Sequence, residues 1–439
     1  MDPLLVVVLG LAGMFVLIAL HVPVGIAMAA TGLACFWLLS GDAGQAISIL
    51  KAETASALSS LELAVIPLFL LMGGFATAAG MSSDLYRLAQ AYLGHYRGGL
   101  ALATIGACAG FGTVCGSSIA TAATMTRIAL PEMRARGYGA SLAAGSIAAG
   151  GGLGMLIPPS ILMVLYAVLT EQSVLALFAA AVLPGIITVL MYMGAIAVTV
   201  RIDPGTARPS VRMPWGARLG ATRASWRVLV LAFVVSGGIY GGVFTVSEAA
   251  AVGGALAFLF YLLGGRRSRR SLIEVLGDTA ATTSMLYVII IGAATMSYFV
   301  TLSGAPASAV AWIQAQGLPP IAIIAVLVVM YIVIGSIFDT TAGMVITLPF
   351  VYPLVVGLGY DPVWWGLMMI VLIEVGMITP PIGLNVFVLH GMAPELPLRT
   401  IFRGVVPFLV ADVLRIGLFV AAPEIVLWLP RVLGFASYT

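Results

Sequence analysis

The stretch Glu374-Val-Gly-Met-Ile-Thr-Pro-Pro-Ile-Gly-Leu-Asn385 places two adjacent prolines inside an apolar run. Proline has no backbone N–H and disfavours helix at the residue before it, so a helix entering this stretch unwinds at Pro380-Pro381. A second stretch, Gly154-Met-Leu-Ile-Pro-Pro-Ser160, reads the same way.

The surroundings say which solvent these breaks meet. Of 439 residues, 61% are hydrophobic and 8% charged, with mean hydropathy +1.13; soluble domains keep roughly a quarter of their residues charged. This excludes a cytosolic enzyme, a disordered chain and a nucleic-acid binder, and leaves an all-α polytopic membrane protein. No Lys or Arg precedes Lys51, so the apolar run from Leu4 lacks the basic flank of a cleavable signal and reads as a first span. Cys35, Cys108 and Cys115 lie in apolar runs without metal-site spacing and read as packing residues.

A crossing needs about 20 apolar residues. On that ruler crossings fall at 4–20, 22–40, 54–80, 140–170, 174–200, 227–245, 247–264, 278–302, 363–392 and 404–430. Two longer apolar stretches, 98–131 and 318–355, carry Gly116-Ser-Ser118 and Gly335-Ser-Ile-Phe-Asp-Thr-Thr341 near their middles. Each reads as a re-entrant hairpin. Basic residues collect in short cytoplasmic loops. With the N-terminus outside, Arg87, Arg97, Arg134, Arg136, Arg201, Arg208, Arg212, Arg218, Arg223, Arg227, Arg266, Arg267, Arg269, Arg270, Arg399 and Arg403 all fall on the cytoplasmic side, 16 of the 20 basic residues. Both termini are therefore expected outside, on the face opposite the arginine clusters.

The two halves also resemble each other. Gly116 and Gly335, the helix-end prolines Pro131 and Pro349, and the double prolines recur at offsets of 219, 218 and 222 residues. With hairpins entering from opposite faces, this is an inverted-topology repeat, the arrangement by which secondary transporters build one midplane site.

Carbonyls freed at a break are tolerated in hydrocarbon only where protein, water or an ion satisfies them. A sodium ion suits that need. Hairpin tip and facing break supply oxygens twice: Gly116, Ser117 and Ser118 with Gly154, Ile157 and Ser160, and Gly335 and Ser336 with Gly376, Thr379 and Ile382. Helix N-termini at the tips favour an anion, and Ser118, Thr121, Asp339, Thr340, Thr341 and Asn385 are the candidate side chains for an anionic organic solute. Charges at membrane depth default to function. Glu374 is placed to support the cation or the unwound backbone, Asp412 and Arg415 to neutralise each other, Arg127 to snorkel to the headgroups, and Glu248 to cap a helix through Ser247.

The stretches Cys115-Gly-Ser-Ser-Ile-Ala-Thr-Ala-Ala-Thr124, Ala129-Leu-Pro-Glu-Met133, Gly154 to Ser160 and Glu374 to Asn385 resemble the large membrane subunit, the DctM-like type, of tripartite ATP-independent periplasmic (TRAP) transporters. The resemblance runs from the first span to Trp428-Leu-Pro430. It implies a sodium-driven importer of organic acid anions that works with a separate small four-helix membrane subunit and a periplasmic binding protein, among membrane lipid. It also implies an elevator motion, with scaffold and arm helices in 1–97 and 228–317, transport elements in 98–200 and 318–392, a cytoplasmic Arg-rich linker at 201–227 and a C-terminal helix in 393–439. Sodium is the only metal implied, and no organic cofactor is. A single-component carrier and a passive channel are the alternatives; a membrane enzyme is disfavoured, because His21, His95 and His390 are scattered and no H-E-x-x-H or G-x-S-x-G occurs.

In a Cys-free background, single cysteines at 266–270 and at 357–361 should label with an impermeant thiol reagent from opposite faces of the membrane. Labelling of both from one face would overturn the inverted arrangement.

Overall fold

The computed structural model describes residues 3–207, 209, 211–264 and 268–435. Arg208, Arg266 and Arg267 of the expected cytoplasmic clusters lie outside the described residues. Among the described residues the regular structure is 21 α-helices and one short 3-10 turn. Six helices are long and apolar enough to cross a membrane, and three bent pairs add further candidate spans.

One register governs both halves. The hairpin arms Gly99–Cys115 and Ser118–Ala135 are matched by Pro320–Ile337 and Thr340–Gly357. The broken helices Ala140–Leu156 plus Ile161–Thr170, and Pro362–Gly376 plus Leu384–Met392, follow them. An offset of 222 residues separates Cys115 from Ile337, Ser118 from Thr340, Ala135 from Gly357, Ala140 from Pro362 and Thr170 from Met392. The same offset relates Val24–Ser40 to Val246–Leu263 at their first residues. It also relates Gly137 and Gly359, whose φ values of +72° and +86° mark the left-handed turns between hairpin and broken helix. Both Pro-Pro bonds are cis.

This register corrects two landmarks. The helix-end prolines are not helix ends: Pro131 and Pro349 lie inside helices that continue to Ala135 and Gly357. The repeat partner of Pro131 is Pro353, 222 residues on, where the sequence reading had paired it with Pro349. Neighbouring helices hold both arms of such a kink, which lets a spanning helix run through proline. Likewise the tip residues in register are the N-caps Ser117 and Asp339. Gly116 is a left-handed cap at the tip, whereas Gly335 lies within a helical arm.

Two expected crossings are also divided. The run at 54–80 becomes Ala43–Ser59 and Val65–Ala78. Pro67 cannot donate to the carbonyl of Leu63, and the chain turns one step earlier, where Ser60 Oγ accepts from the Leu63 N–H at 3.3 Å. In register, Pro67 is replaced by Ile289, and Arg269–Ser303 is one continuous helix of 35 residues. The run at 404–430 becomes Leu398–Ala421 and Glu424–Val432, divided at Pro423. Glu248 does cap a helix, but through Thr245: the Thr245 N–H donates to its carboxylate at 2.8 Å and Thr245 Oγ1 accepts the Glu248 N–H at 3.2 Å. A side chain at the third helical position reaches back three residues, past Ser247.

The halves interlock away from the breaks. Val24–Ser40 packs along Arg269–Ser303 of the other half, and in the repeat-related contact Val65–Ala78 packs along Val246–Leu263. Small residues permit the first crossing. A Cβ on Gly292 would stand 2.1 Å from Gly25 O, and one on Gly25 2.5 Å from Val288 O. The Arg-bearing loops gather together: Arg134 pairs with Glu395, Arg227 with Asp84 at 2.9 Å, and the Gly139 N–H donates to Thr206 O at 2.8 Å.

Gly292→Val should lower the thermal unfolding midpoint in detergent, with a cost of about 1–3 kcal/mol typical of overpacking. Gly277→Val, on the same helix with open space around its Cβ position, should leave the midpoint within experimental error.

Candidate functional site

Each break lies against a hairpin, and glycine is what allows the approach. In the first half a Cβ on Gly112 would stand 2.8 Å from Leu153 O, and one on Gly154 would stand 2.4 Å from Thr121 Oγ1 and 2.7 Å from Ser117 O. Gly116 faces Pro159 O, 3.3 Å from its Cβ position. In the second half a Cβ on Gly376 would lie 2.6 Å from Gly335 Cα, and one on Gly335 2.8 Å from Ile373 O. The Gly383 N–H donates to Ser336 O at 3.1 Å, tying the break to the hairpin.

The oxygens at these two places differ in state. Pro158 and Pro159 offer no N–H, so the carbonyls of Gly154 and Met155 have no helical donor four residues on. Nearby Ser160 is wholly buried, and its hydroxyl has no hydrogen-bond partner among the described residues. A buried orphan hydroxyl within a few residues of donor-less carbonyls is a good fit to a hard cation and a poor fit to hydrocarbon. At the second break the Thr379 hydroxyl donates to Val375 O at 2.6 Å, and the Asn385 N–H donates to Met377 O at 3.1 Å. Its own helix thus holds the Thr379 hydroxyl, and the Thr379 N–H donates to Gly376 O at 2.9 Å. Access also differs: Pro158, Pro159 and Ser160 are buried, whereas Pro380 and Pro381 are exposed and Thr379 and Ile382 half-buried. Ile157 is half-buried as well.

Of the side chains proposed for an anion, Ser118 and Asn385 meet across the repeat. Asn385 Nδ2 donates to Ser118 Oγ at 2.8 Å and to Ala148 O at 3.1 Å, and both residues are buried. Thr121 donates to Ser117 O at 2.7 Å. Asp339 is exposed and caps its own helix, accepting from the Thr341 and Ala342 N–H groups at 3.2 Å each, with the Thr340 hydroxyl at 3.4 Å. A carboxylate already occupies that helix N-terminus. The neutral cap Ser117 leaves the other tip free of like charge.

Glu374 is only 2% exposed, and the structure surrounds it more fully than the sequence foretold. Arg415 Nη2 donates to Glu374 Oε2 at 3.0 Å, Arg415 Nη1 donates to Thr188 Oγ1 at 2.8 Å, and Arg415 Nε lies 2.9 Å from Asp412 Oδ1. The Tyr192 hydroxyl donates to Asp412 Oδ1 at 2.9 Å, and the guanidinium carbon stands 5.6 Å from the Tyr192 ring centroid. Asp412 and Arg415 do meet, as their spacing implied. Glu374, Thr188 and Tyr192 reach them from two other helices, which local spacing does not reveal. Gly112 was missed too; its signal was its place one helical turn before the tip. Arg127 is exposed.

The chain matches a family model described as "Tripartite ATP-independent periplasmic transporter, DctM component" over residues 11–425. It is 36% identical over 401 residues to the C4-dicarboxylate TRAP transporter large permease protein DctM of Pseudomonas aeruginosa, covering 91% of this chain and 92% of that one. It is 30% identical over 407 residues to the isethionate TRAP transporter permease protein DctMQ of Oleidesulfovibrio alaskensis, covering 89% of this chain and 61% of that longer protein. Among solved structures, the Alcanivorax borkumensis YdaH transporter shares the fold, with a TM-score of 0.61, 17% identity and coverage of 87% and 90%.

Gly376→Ala should separate the second break from its hairpin, because the new Cβ meets backbone and not a movable side chain. Limited proteolysis and thermal unfolding should show the loosened contact, with the protein still inserted in the membrane at normal yield.

Proposed function

Because the chain belongs to the DctM family of tripartite ATP-independent periplasmic transporters, whose members are transport subunits and not enzymes, we propose that it imports organic acid anions coupled to sodium. The observation that supports this most directly is the pairing of each break with a hairpin, together with the orphaned Ser160 hydroxyl at the first break. On this reading one ion is held by Gly116, Ser117, Gly154 and Ser160 with neighbouring carbonyls, and a second by carbonyls of Gly335, Gly376, Thr379 and Ile382.

The anion binds near Ser118 and Asn385. There the Asn385 amide spans the two repeats, and the first tip offers N–H groups without a capping carboxylate. Carboxylates such as dicarboxylates or sugar acids are the substrate class, and selection among them rests with the periplasmic binding protein. The large permease works in a three-part system, and one relative carries the name DctMQ. The partners of this chain are a small four-helix membrane subunit and a binding protein docking from the periplasm, the side on which both termini lie.

The contacts support an elevator reading of the motion. Hairpins and broken helices are tied through Asn385–Ser118 and Gly335–Gly376 and move as one body, an elevator, past the interlocked pairs that include Val24–Ser40 and Arg269–Ser303. Each net positive charge carried inward gains about 2.3 kcal/mol per 100 mV, which corresponds to roughly fiftyfold accumulation. Two sodium ions with a monoanion draw on that gradient; two with a dianion rely on the sodium gradient alone.

In proteoliposomes this subunit with its small partner and a loaded binding protein should show concentrative, sodium-dependent uptake, and little uptake when any part is omitted. Concentrative uptake by the subunit alone favours a single-component carrier. Ser160→Ala should raise the half-saturating sodium concentration by about tenfold, the value of one lost ligand hydroxyl, and Thr379→Ala by less, since the Thr379 hydroxyl is already engaged. The reverse order would remove Ser160 from the ion site.

A further inference from the structure

We propose that the buried cluster Glu374–Arg415–Asp412 is the fixed counter-charge of both coupling ions, a role that rests on the sodium-coupled reading above. The residues assigned to the two ion sites, Gly, Ser, Thr and Ile, carry no formal charge, so two cations entering them would bring uncompensated charge into the membrane interior. The cluster supplies the opposite sign. Two carboxylates share one guanidinium on three residues that are each 2% exposed or less, so the cluster carries one unit of net negative charge when both are ionised.

That charge is not quenched locally. Glu374 Oε1 and Asp412 Oδ2 are buried without a hydrogen-bond partner among the described residues. The elements packed around the cluster bring Tyr192 and Thr188 from Val174–Ile202 and Gly152 from Ala140–Leu156; none of these adds a positive charge. An unpaired negative charge at this depth is costly, and persists where something else offsets it.

Its position relates it to both breaks. Glu374 Oε1 lies 2.5 Å from the place a Gly152 Cβ would occupy, and Gly152 precedes the first break's Gly154 by two residues. The backbone of Glu374 precedes the second break's Gly376 by the same two residues. One carboxylate therefore touches the first broken helix through its side chain and belongs to the second through its backbone, able to favour occupancy of each site through the field without touching either ion. By linkage, each ion in turn stabilises the ionised cluster and the helices that hold it. A full charge one or two helical turns from a bound ion, at the effective dielectric of a protein interior, changes ion affinity on the order of tenfold.

The test is sodium binding by the purified protein, read as the thermal unfolding midpoint while sodium chloride replaces choline chloride at constant ionic strength. The wild type should show a saturable rise. Asp412→Asn and Glu374→Gln, which keep shape and remove one negative charge, should each need about tenfold more sodium for half the rise. Glu424→Gln removes an exposed carboxylate that pairs with Arg431 outside the cluster and should leave the half-point unchanged. Wild-type half-points in both cluster variants would overturn the counter-charge role. Loss of cooperative unfolding in both at saturating sodium would also overturn it, by assigning the cluster to the fold. Absence of any sodium response in the wild type is a different result, which sinks sodium coupling itself.

Discussion

A backbone carbonyl without a donor cannot rest in hydrocarbon, and this constraint organises the molecule. Pro158-Pro159 and Pro380-Pro381 each strip a helix of donors at mid-length. Each break must then lie against something polar, and each lies against the tip region of a hairpin that itself turns round inside the membrane. Glycine at 112, 154, 335 and 376 brings backbone to backbone at distances no side chain allows. Tip and break are thus two halves of one device, and the pair occurs twice.

Much of this was legible in the chain. Double prolines, polar clusters in overlong apolar runs, and the distribution of arginines are written in residue type, and they located both hairpins and both broken helices. The exact register was not, because residues of one type were matched where the fold matches residues of one job. Ser117 and Asp339 differ chemically yet both cap the second arm of a hairpin, and matching Gly116 to Gly335 in their place shifted the tip by three residues. Pro67 and Pro423 were each hidden inside runs apolar enough to pass as a single crossing. Hydropathy does not register a missing donor.

The candidate site divides along the same line. Asn385 and Ser118 stood out as polar residues in apolar surroundings, but their pairing across 267 residues is a property of the fold. The Asp412–Arg415 pair followed from helical spacing, whereas Glu374 reaches it from another helix. Thr379 shows the converse: its residue type points to an ion ligand, and its hydroxyl is spent on the preceding helical turn. Residue type told what a position could do; the neighbours decided which oxygen is left to do it.

The crossing of Val24–Ser40 with Arg269–Ser303 bears on how the protein is made. These helices meet at Gly25 and Gly292, so the second span waits for its packing partner until more than 200 further residues have been synthesised and inserted. Until then its small-residue face is open to lipid or to other emerging helices. The two repeats therefore cannot mature one after the other as independent units. Assembly at the ribosome must keep the early spans loosely held, and closes only when the later half threads into place.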